Sequence, residues 1–286
     1  MSRPREAWPA NTTAWAGVIG DPVRHSLSPL LHNAAYAALG LDWAFLACEV
    51  AEGEAGRAIA GARALGGRGL SVTMPHKQAA FALAEARSAR AERLQVANTL
   101  VLRSGAWWAD ANDGDALVDD LERAGFEVAG ARTAVIGAGG AARSAVLALA
   151  EAGAAEVVVV NRSAGRAERA AALAGRAGRV GSVADLEAAS LVVQATPLGM
   201  AGTGPVSESV ASARALGSRL GAGQLGYDLI YHPARTAFME AAAERGASVR
   251  NGAGLLVFVA ARQFSLYTGE SAPVEVMWDA LRASGH

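Results

Sequence analysis

The feature that most narrows the fold of this 286-residue chain is a series of four short apolar runs in its second half. They are Ala134-Val135-Ile136, Val157 to Val160, Leu191 to Ala195 and Leu225 to Ile230, each bounded by Gly, Asn, Thr or Pro. A strand with one wet face alternates apolar and polar residues. These runs do not alternate, so both of their faces must be covered. Helix-length segments rich in Ala, Arg and Glu lie between them, such as Ala141 to Ala152 and Arg166 to Leu173. That alternation predicts a parallel, doubly wound sheet with helices on both sides.

The first half repeats the alternation less cleanly. Residues 1–13 read as a loose extension with Pro4, Pro9 and the polar Asn11-Thr12-Thr13. Strands are expected over Ala14 to Ile19, Phe45 to Val50 and Gly69 to Thr73, with helices over Leu30 to Leu39 and Glu54 to Leu65. Gly40 closes the first helix as a C-cap, and Pro75 opens a further one near its first turn. Thr99 to Arg103 and Ala106 to Ala109 pair as a hairpin across Ser104-Gly105. A last helix is expected over Gly254 to Thr268. The fold class is therefore α/β, with a mostly parallel N-terminal unit and a doubly wound second one.

Composition removes several function classes. A formal charge of −1 gives no footprint for nucleic acid or an anionic membrane. The single cysteine, Cys48, cannot form an internal disulfide, and five scattered histidines have no ligand spacing, so no metal is expected. No apolar run nears the ~20 residues of a membrane span, and the opening residues lack a signal-peptide pattern. A cytoplasmic protein acting on a small molecule is the expectation.

The chemistry concentrates in three motifs. Gly137-Ala138-Gly139-Gly140-Ala141-Ala142 follows an expected strand and opens an expected helix. Gly137 permits the tight turn, Gly139 lets backbone amides approach a pyrophosphate, and Ala142 stands at the helix–strand contact. The helix N-terminus offers unpaired N–H groups to phosphates. The next strand ends at Asn161-Arg162-Ser163, roughly 20 residues on, where a ribose-facing group belongs. Two guanidinium groups there, Arg162 and Arg166, suit a 2′-phosphate and favour NADP over NAD. A plain turn, with arginines solvating a helix start, is the ordinary alternative.

The third motif lies upstream. Lys77 follows Val72-Thr73-Met74-Pro75-His76, where a strand hands over to a helix. Asp113, Ser26, Ser28 and Asn98 are further polar candidates. Each also has an ordinary reading: a solvated helix lysine, a helix cap, a turn residue. Residue chemistry alone does not assemble them.

Taken together, the motifs resemble the shikimate dehydrogenase family from Val18 to Gly269. The resemblance rests on Gly20-Asp21-Pro22 with His25-Ser26-Leu27-Ser28-Pro29, on Val72 to Lys77, and on Ala97-Asn98-Thr99. It continues through Asp113-Gly114, the glycine loop, Asn161 to Arg166, Ala195-Thr196-Pro197-Leu198-Gly199-Met200, Tyr227 to Tyr231 and Asn251 to Val257. It implies reduction of 3-dehydroshikimate with NADPH, in aromatic amino-acid biosynthesis. Ser26 and Ser28 would hold the substrate carboxylate, with Thr73, Asn98, Asp113 and Tyr231 as further contacts. Lys77 would be the general acid/base, with Asp113 beside it. The cofactor would lie on Gly137, Ala138, Gly139, Gly140 and Ala141, its 2′-phosphate on Asn161, Arg162, Ser163 and Arg166. Thr196, Leu229 and Gly252 would flank its nicotinamide half.

The same resemblance implies a discontinuous substrate domain, residues 1–111 and 252–286, around a Rossmann-like NADP domain, residues 112–251, with substrate in the cleft between them. Oligomeric state, monomer or homodimer, is left open. Three positions depart from the family pattern: Val259 stands where a glutamine usually faces the substrate, Gln194 where asparagine is common, and Ala111-Asn112 where asparagine then threonine is frequent. Val259 motivates an alternative substrate such as quinate or an aminoshikimate. A non-catalytic NADP(H) sensor is a third reading, against which the joint presence of Lys77 and Asp113 argues.

Overall fold

The structure, a computed structural model, describes residues 10–200 and 206–285. Most of the expected N-terminal extension lies outside them. The chain divides into two compact units, Met1–Asn112 with Val259–Gly285, and Asp113–Phe258.

Unit 1 opens with β1 (Ala14–Gly20), α1 (Ser28–Ala38), β2 (Trp43–Glu49), α2 (Ala55–Ala64) and β3 (Gly69–Val72). It continues with α3 (Lys77–Leu83), β4 (Ala86–Arg87), α4 (Ala89–Leu94), β5 (Thr99–Arg103) and β6 (Ala106–Asp110). The six strands form one sheet in the order β2-β1-β3-β5-β6-β4. β1 is parallel to β2 and β3, and β4 to β6, while β5 is antiparallel to β3 and β6. The expected hairpin is the β5–β6 pair, with Ser104 and Gly105 both at positive φ in its turn. Leu70 and Val72 of β3 join Ala55, Ile59, Ala62 and Ala80 in a core over one face. Residues of opposite parity in β3 meet the helix over Ala253–Thr268, as Ser71 does through Gln263.

Unit 2 holds α5 (Asp113–Arg123), β7 (Arg132–Ile136), α6 (Gly140–Glu151), β8 (Glu156–Val160), α7 (Ala164–Ala171), β9 (Gly178–Val180) and β10 (Leu191–Gln194). It is completed by α8 (Val206–Gly217), β11 (Leu225–Asp228), α9 (Ala237–Glu244) and β12 (Ser248–Arg250). Its sheet runs β12-β11-β10-β7-β8-β9, every pairing parallel. That is the 3-2-1-4-5-6 order of a doubly wound fold, with its switch point between β7 and β10. The unbroken valine run has the expected cause. Val157 and Val159 enter one core with Val135 and Leu149, while Val158 and Val160 enter another with Ile136 and Phe238.

The helix α10 (Ala253–Thr268) begins in unit 2, and its residues from Val259 onward belong to unit 1, as does α11 (Val274–Ala283). Among the described residues no helix is long and apolar enough to cross a membrane. Several boundaries differ from expectation. α1 begins at Ser28 because Pro29 fits its first turn, and α3 begins at Lys77, two residues after Pro75. The helices α4, α8, α9 and α11 lie outside the expected elements, although α4 and α9 begin at the capping residues Ser88 and Thr236, whose hydroxyls accept from the Ala91 and Met239 N–H groups.

Candidate functional site

In unit 1 the candidate residues sit where β1 and β3 end. Gly20 closes β1, and a Cβ on it would lie 2.3 Å from Thr73 Cγ2, so glycine is what lets the two loops touch. The Thr73 N–H donates to the Ile19 carbonyl at 3.0 Å and the Asp21 N–H to the Met74 carbonyl at 3.0 Å. The loop then turns into α1. Its N-cap, Leu27, has no side-chain cap bond, so neither serine caps the helix in the ordinary sense. Ser28 is its first residue and is buried, and Ser26 Oγ accepts the Ser28 N–H at 3.3 Å.

Lys77 opens α3, half-buried, after His76. A cation in the first helical turn is electrostatically disfavoured, which weakens the reading of Lys77 as an ordinary helix residue. His76 is buried and pairs through Nε2 with the Val50 carbonyl at 2.7 Å, anchoring the start of the helix. The Lys77 carbonyl accepts the Ala97 N–H at 2.9 Å, which brings the lysine's backbone beside Asn98. Asn98 is not a turn residue. It is buried, its N–H donates to Asp110 at 3.0 Å, and its carbonyl accepts from Val72 at 2.7 Å. Ser26, Ser28, Thr73, Lys77 and Asn98 thus share one end of the unit 1 sheet.

In unit 2 the glycine loop crosses the switch point. Gly137 has φ +116°, and a Cβ on it would lie 3.0 Å from the Ala195 carbonyl and 3.2 Å from Thr196 Cγ2. Added Cβ atoms on Gly139 and Gly140 would meet nothing within 4 Å, so the outer side of the loop is open. Gly139 is the N-cap of α6, without a side-chain cap bond and with no acidic residue in the first turn, which suits an anion. Asn161 Nδ2 donates to the Ser163 carbonyl at 3.1 Å, shaping the turn into α7. Arg162 and Arg166 are exposed there, and neither pairs with a carboxylate among the described residues. Positive charge at a helix N-terminus opposes the dipole, so the capping alternative loses its physical basis.

Sequence reasoning missed Arg143 and Arg169. Arg143 lies in the first turn of α6, with its Nε buried and unpartnered. Burial first, and then the neighbouring Arg169 charge, hold its pKa below the usual arginine value. A cation directly after the glycine loop was the signal available. Together the open loop, the free helix end and the gathered guanidinium groups fit a dinucleotide carrying an extra phosphate.

The loop after β10 is built by Gln194, which is fully buried. Its Oε1 accepts from Thr196 N–H at 2.6 Å and Thr196 Oγ1 at 2.7 Å, and its Nε2 reaches the Thr196 and Leu198 carbonyls, each at 3.1 Å. Behind it Asp228 takes hydrogen bonds from Thr236 Oγ1 at 2.6 Å and Ile230 N–H at 3.1 Å. Burial nevertheless pushes its carboxyl up to about 6. Leu229 and Gly252 meet directly: a Cβ on Gly252 would lie 2.1 Å from the Leu229 carbonyl oxygen. Tyr231 is half-buried, its hydroxyl pKa raised by desolvation, and Asp113 is the first residue of α5. Val259 is half-buried in α10, and Gln263, one turn further, is buried.

Residues 18–100 match the family described as shikimate dehydrogenase substrate binding domain, and residues 120–197 match shikimate / quinate 5-dehydrogenase. The shikimate dehydrogenase (NADP(+)) of Moorella thermoacetica is 41% identical over 281 residues, 95% of this chain and 93% of that protein. The chain belongs to the shikimate dehydrogenase family. The structure of shikimate 5-dehydrogenase from Thermus thermophilus in complex with NADP(H) and shikimate is 30% identical, with a TM-score of 0.84 and coverage of 95% of this chain and 100% of that one. A 5-ketofructose reductase of Gluconobacter has a TM-score of 0.82 at 25% identity, over 96% of this chain and all of that one. The architecture is thus shared with a protein named for a different substrate, and the shikimate dehydrogenase family is defined here by sequence as well.

Proposed function

We propose that this chain is an NADP-dependent shikimate dehydrogenase, interconverting 3-dehydroshikimate and shikimate in the cytoplasm. The observation that carries the reading is 41% identity over almost the whole chain to a relative of that name. The glycine loop, open at Gly139 and Gly140 and followed by Arg162 and Arg166, supports the phosphorylated cofactor.

The roles are assigned residue by residue. Unit 1 supplies four of the substrate contacts: Ser26 and Ser28 for the carboxylate, Thr73 and Asn98 for ring oxygens. Lys77 holds and moves the proton at the reacting oxygen, and Asp113 accepts from the neighbouring hydroxyl and orients it. In unit 2 the amides of Gly137 to Ala141 would hold the pyrophosphate, and Asn161, Arg162, Ser163 and Arg166 the 2′-phosphate. Thr196, Leu229 and Gly252 would border the nicotinamide, which when bound supplies or takes the hydride. Tyr231 completes the substrate contacts.

The test follows NADPH absorbance with 3-dehydroshikimate, and NADP with shikimate and quinate. Turnover of the shikimate pair, with NADP preferred to NAD, is the expected result. A preference for quinate would move the chain to the alternative substrate. Equal use of NAD would overturn the reading of Arg162 and Arg166, and tight NADPH binding with no turnover of any ring acid would favour a sensor.

A further inference from the structure

Gln194 is the last residue of β10, beside the switch point of the unit 2 sheet, and it is fully buried. All three polar groups of one neighbour converge on its amide. Thr196 donates its N–H to Oε1 at 2.6 Å and its hydroxyl to Oε1 at 2.7 Å, and its carbonyl accepts from Nε2 at 3.1 Å. Nε2 also reaches the Leu198 carbonyl at 3.1 Å. The Leu198 N–H donates back to Thr196 Oγ1 at 3.3 Å, which ties the loop to itself.

Backbone groups fix which end of this amide is which. An N–H can only donate, so the atom facing the Thr196 N–H is the oxygen. A carbonyl can only accept, so the atom facing the Thr196 and Leu198 carbonyls is the nitrogen. The Thr196 hydroxyl, set against an acceptor, therefore gives it its hydrogen. The main chain of Gln194 makes a second link. Its carbonyl accepts the Leu229 N–H at 3.0 Å, where β10 and β11 lie side by side. Asp228, just before Leu229, accepts the Ile230 N–H at 3.1 Å and lies 3.4 Å from Gln194 Nε2. One buried residue is thus bonded to both Thr196 and Leu229.

We infer that Gln194 is a positioning residue for the nicotinamide half of the cofactor: it sets the spacing of Thr196 and Leu229 between which that half fits. The inference rests on the reading of Thr196 and Leu229 as borders of the nicotinamide. An asparagine, common at this position in the family, can take the N–H two residues on. The extra methylene of glutamine carries the amide further, to the Leu198 carbonyl four residues on. An apolar side chain of similar size would strip three backbone groups of this partner, and the loop would shift to satisfy them elsewhere.

The experiment uses the full chain and two ligands. NADPH carries the nicotinamide half, whereas 2′,5′-ADP shares only the adenosine half and its phosphates. Fluorescence titration reads the first dissociation constant, and displacement of NADPH reads the second. Gln194→Met, close in volume but without an amide, should weaken NADPH about 3–10-fold and leave 2′,5′-ADP within about 2-fold of wild type. Gln194→Asn keeps an acceptor for the Thr196 N–H and should fall between the two. A larger loss in Gln194→Asn than in Gln194→Met would overturn the inference. So would equal weakening of both ligands by Gln194→Met, since that residue would then only hold unit 2 together. Leu229→Ala tests the underlying reading with the same pair. If it weakens NADPH alone while Gln194→Met changes neither ligand, the inference is overturned and the border reading stands. If Leu229→Ala leaves NADPH unchanged, the border reading falls and takes the inference with it.

Discussion

In unit 2 the candidate site is mostly backbone: the turn at Gly137, the bare loop at Gly139 and Gly140, and the N-terminal end of α6. In unit 1 the candidates are side chains, Ser26, Thr73, Lys77 and Asn98, at one end of a mixed sheet. The buried polar chemistry differs too. In unit 2 Asp120 is fully buried yet meets Arg250 Nε at 2.6 Å, Arg250 Nη2 at 2.5 Å and Tyr227 Oη at 2.7 Å. In unit 1 the buried hydroxyls of Tyr36 and Tyr267 have no hydrogen-bond partner among the described residues. A rigid, satisfied frame suits a site made of backbone, because amides are placed by the fold itself. A site made of side chains needs each rotamer held separately, as the hydrogen bonds of Thr99 Oγ1 and the Asn112 N–H to Asn98 Oδ1 hold that of Asn98.

The contrast is broken most directly at Asp120. Removing one partner of a buried, paired charge leaves the other uncompensated, at about 3–5 kcal/mol. Asp120→Ala should lower unfolding stability by about that amount in a guanidinium titration. A loss under ~1 kcal/mol would show that the frame of unit 2 does not depend on this pair.

A second test separates satisfied from merely buried carboxylates. Asp228 is hydrogen-bonded, yet its pKa is raised from 3.8 to about 6. The folded state therefore holds its proton more tightly than the unfolded chain does. Its contribution is full below pH ~4, falls as pH rises towards 6, and is lost above, a swing of about 3 kcal/mol. Other carboxylates shift the opposite way, as Asp185 does, lowered to about 2 by the Ser182 backbone and Arg179. The readable quantity is thus the difference from Asp228→Asn. That variant should be as stable as wild type or more so at pH 7, with the gap closing on acidification to pH 4. A constant gap would contradict the raised pKa.

The same contrast explains what the sequence made legible. Backbone sites leave glycine at fixed spacing, and doubly covered strands leave runs such as Val157 to Val160, so unit 2 could be read from the residues themselves. Asn161, Arg162 and Arg166 could be singled out as candidates because a ribose-facing group belongs at a set distance from the glycine loop. Side-chain sites leave no periodic trace. Ser26, Lys77 and Asn98 each have an ordinary role in isolation, and family resemblance alone assembled them. Gln263, buried against Ser71, Asn98 and Thr99, was invisible, since a glutamine on an apolar helix face has no motif. Arg143 was visible in principle, as a cation at a helix start, where the dipole does not favour one.

Lys77 tests whether chemistry and cofactor binding divide as the two surfaces do. Lys77→Ala should lower turnover by ~10²-fold or more while leaving the NADP dissociation constant near wild type. Stopped-flow rates with fluorescence titration of NADPH check both. Equal loss of cofactor affinity would mean that the lysine serves both surfaces, and wild-type turnover would remove it from the proton transfer.

The smallest effect concerns the helix that passes from one unit into the other. Val259 cannot hydrogen-bond, and Gln263, one turn on, does not stand in for it: its amide nitrogen is committed to Ser71, Asn98 and Thr99. If shikimate is the substrate and faces this position, one of its polar groups lacks a direct protein partner. Val259→Gln should then raise kcat/KM for shikimate about 3–30-fold, the worth of one hydrogen bond. If the natural substrate instead places an apolar or bulkier group there, the new amide is buried unpaired and its turnover falls. The two substrates therefore respond with opposite signs, which a panel of ring acids resolves in one set of rates. No response from any of them would show that residue 259 does not touch the ring, and that the departure there carries no message about the substrate.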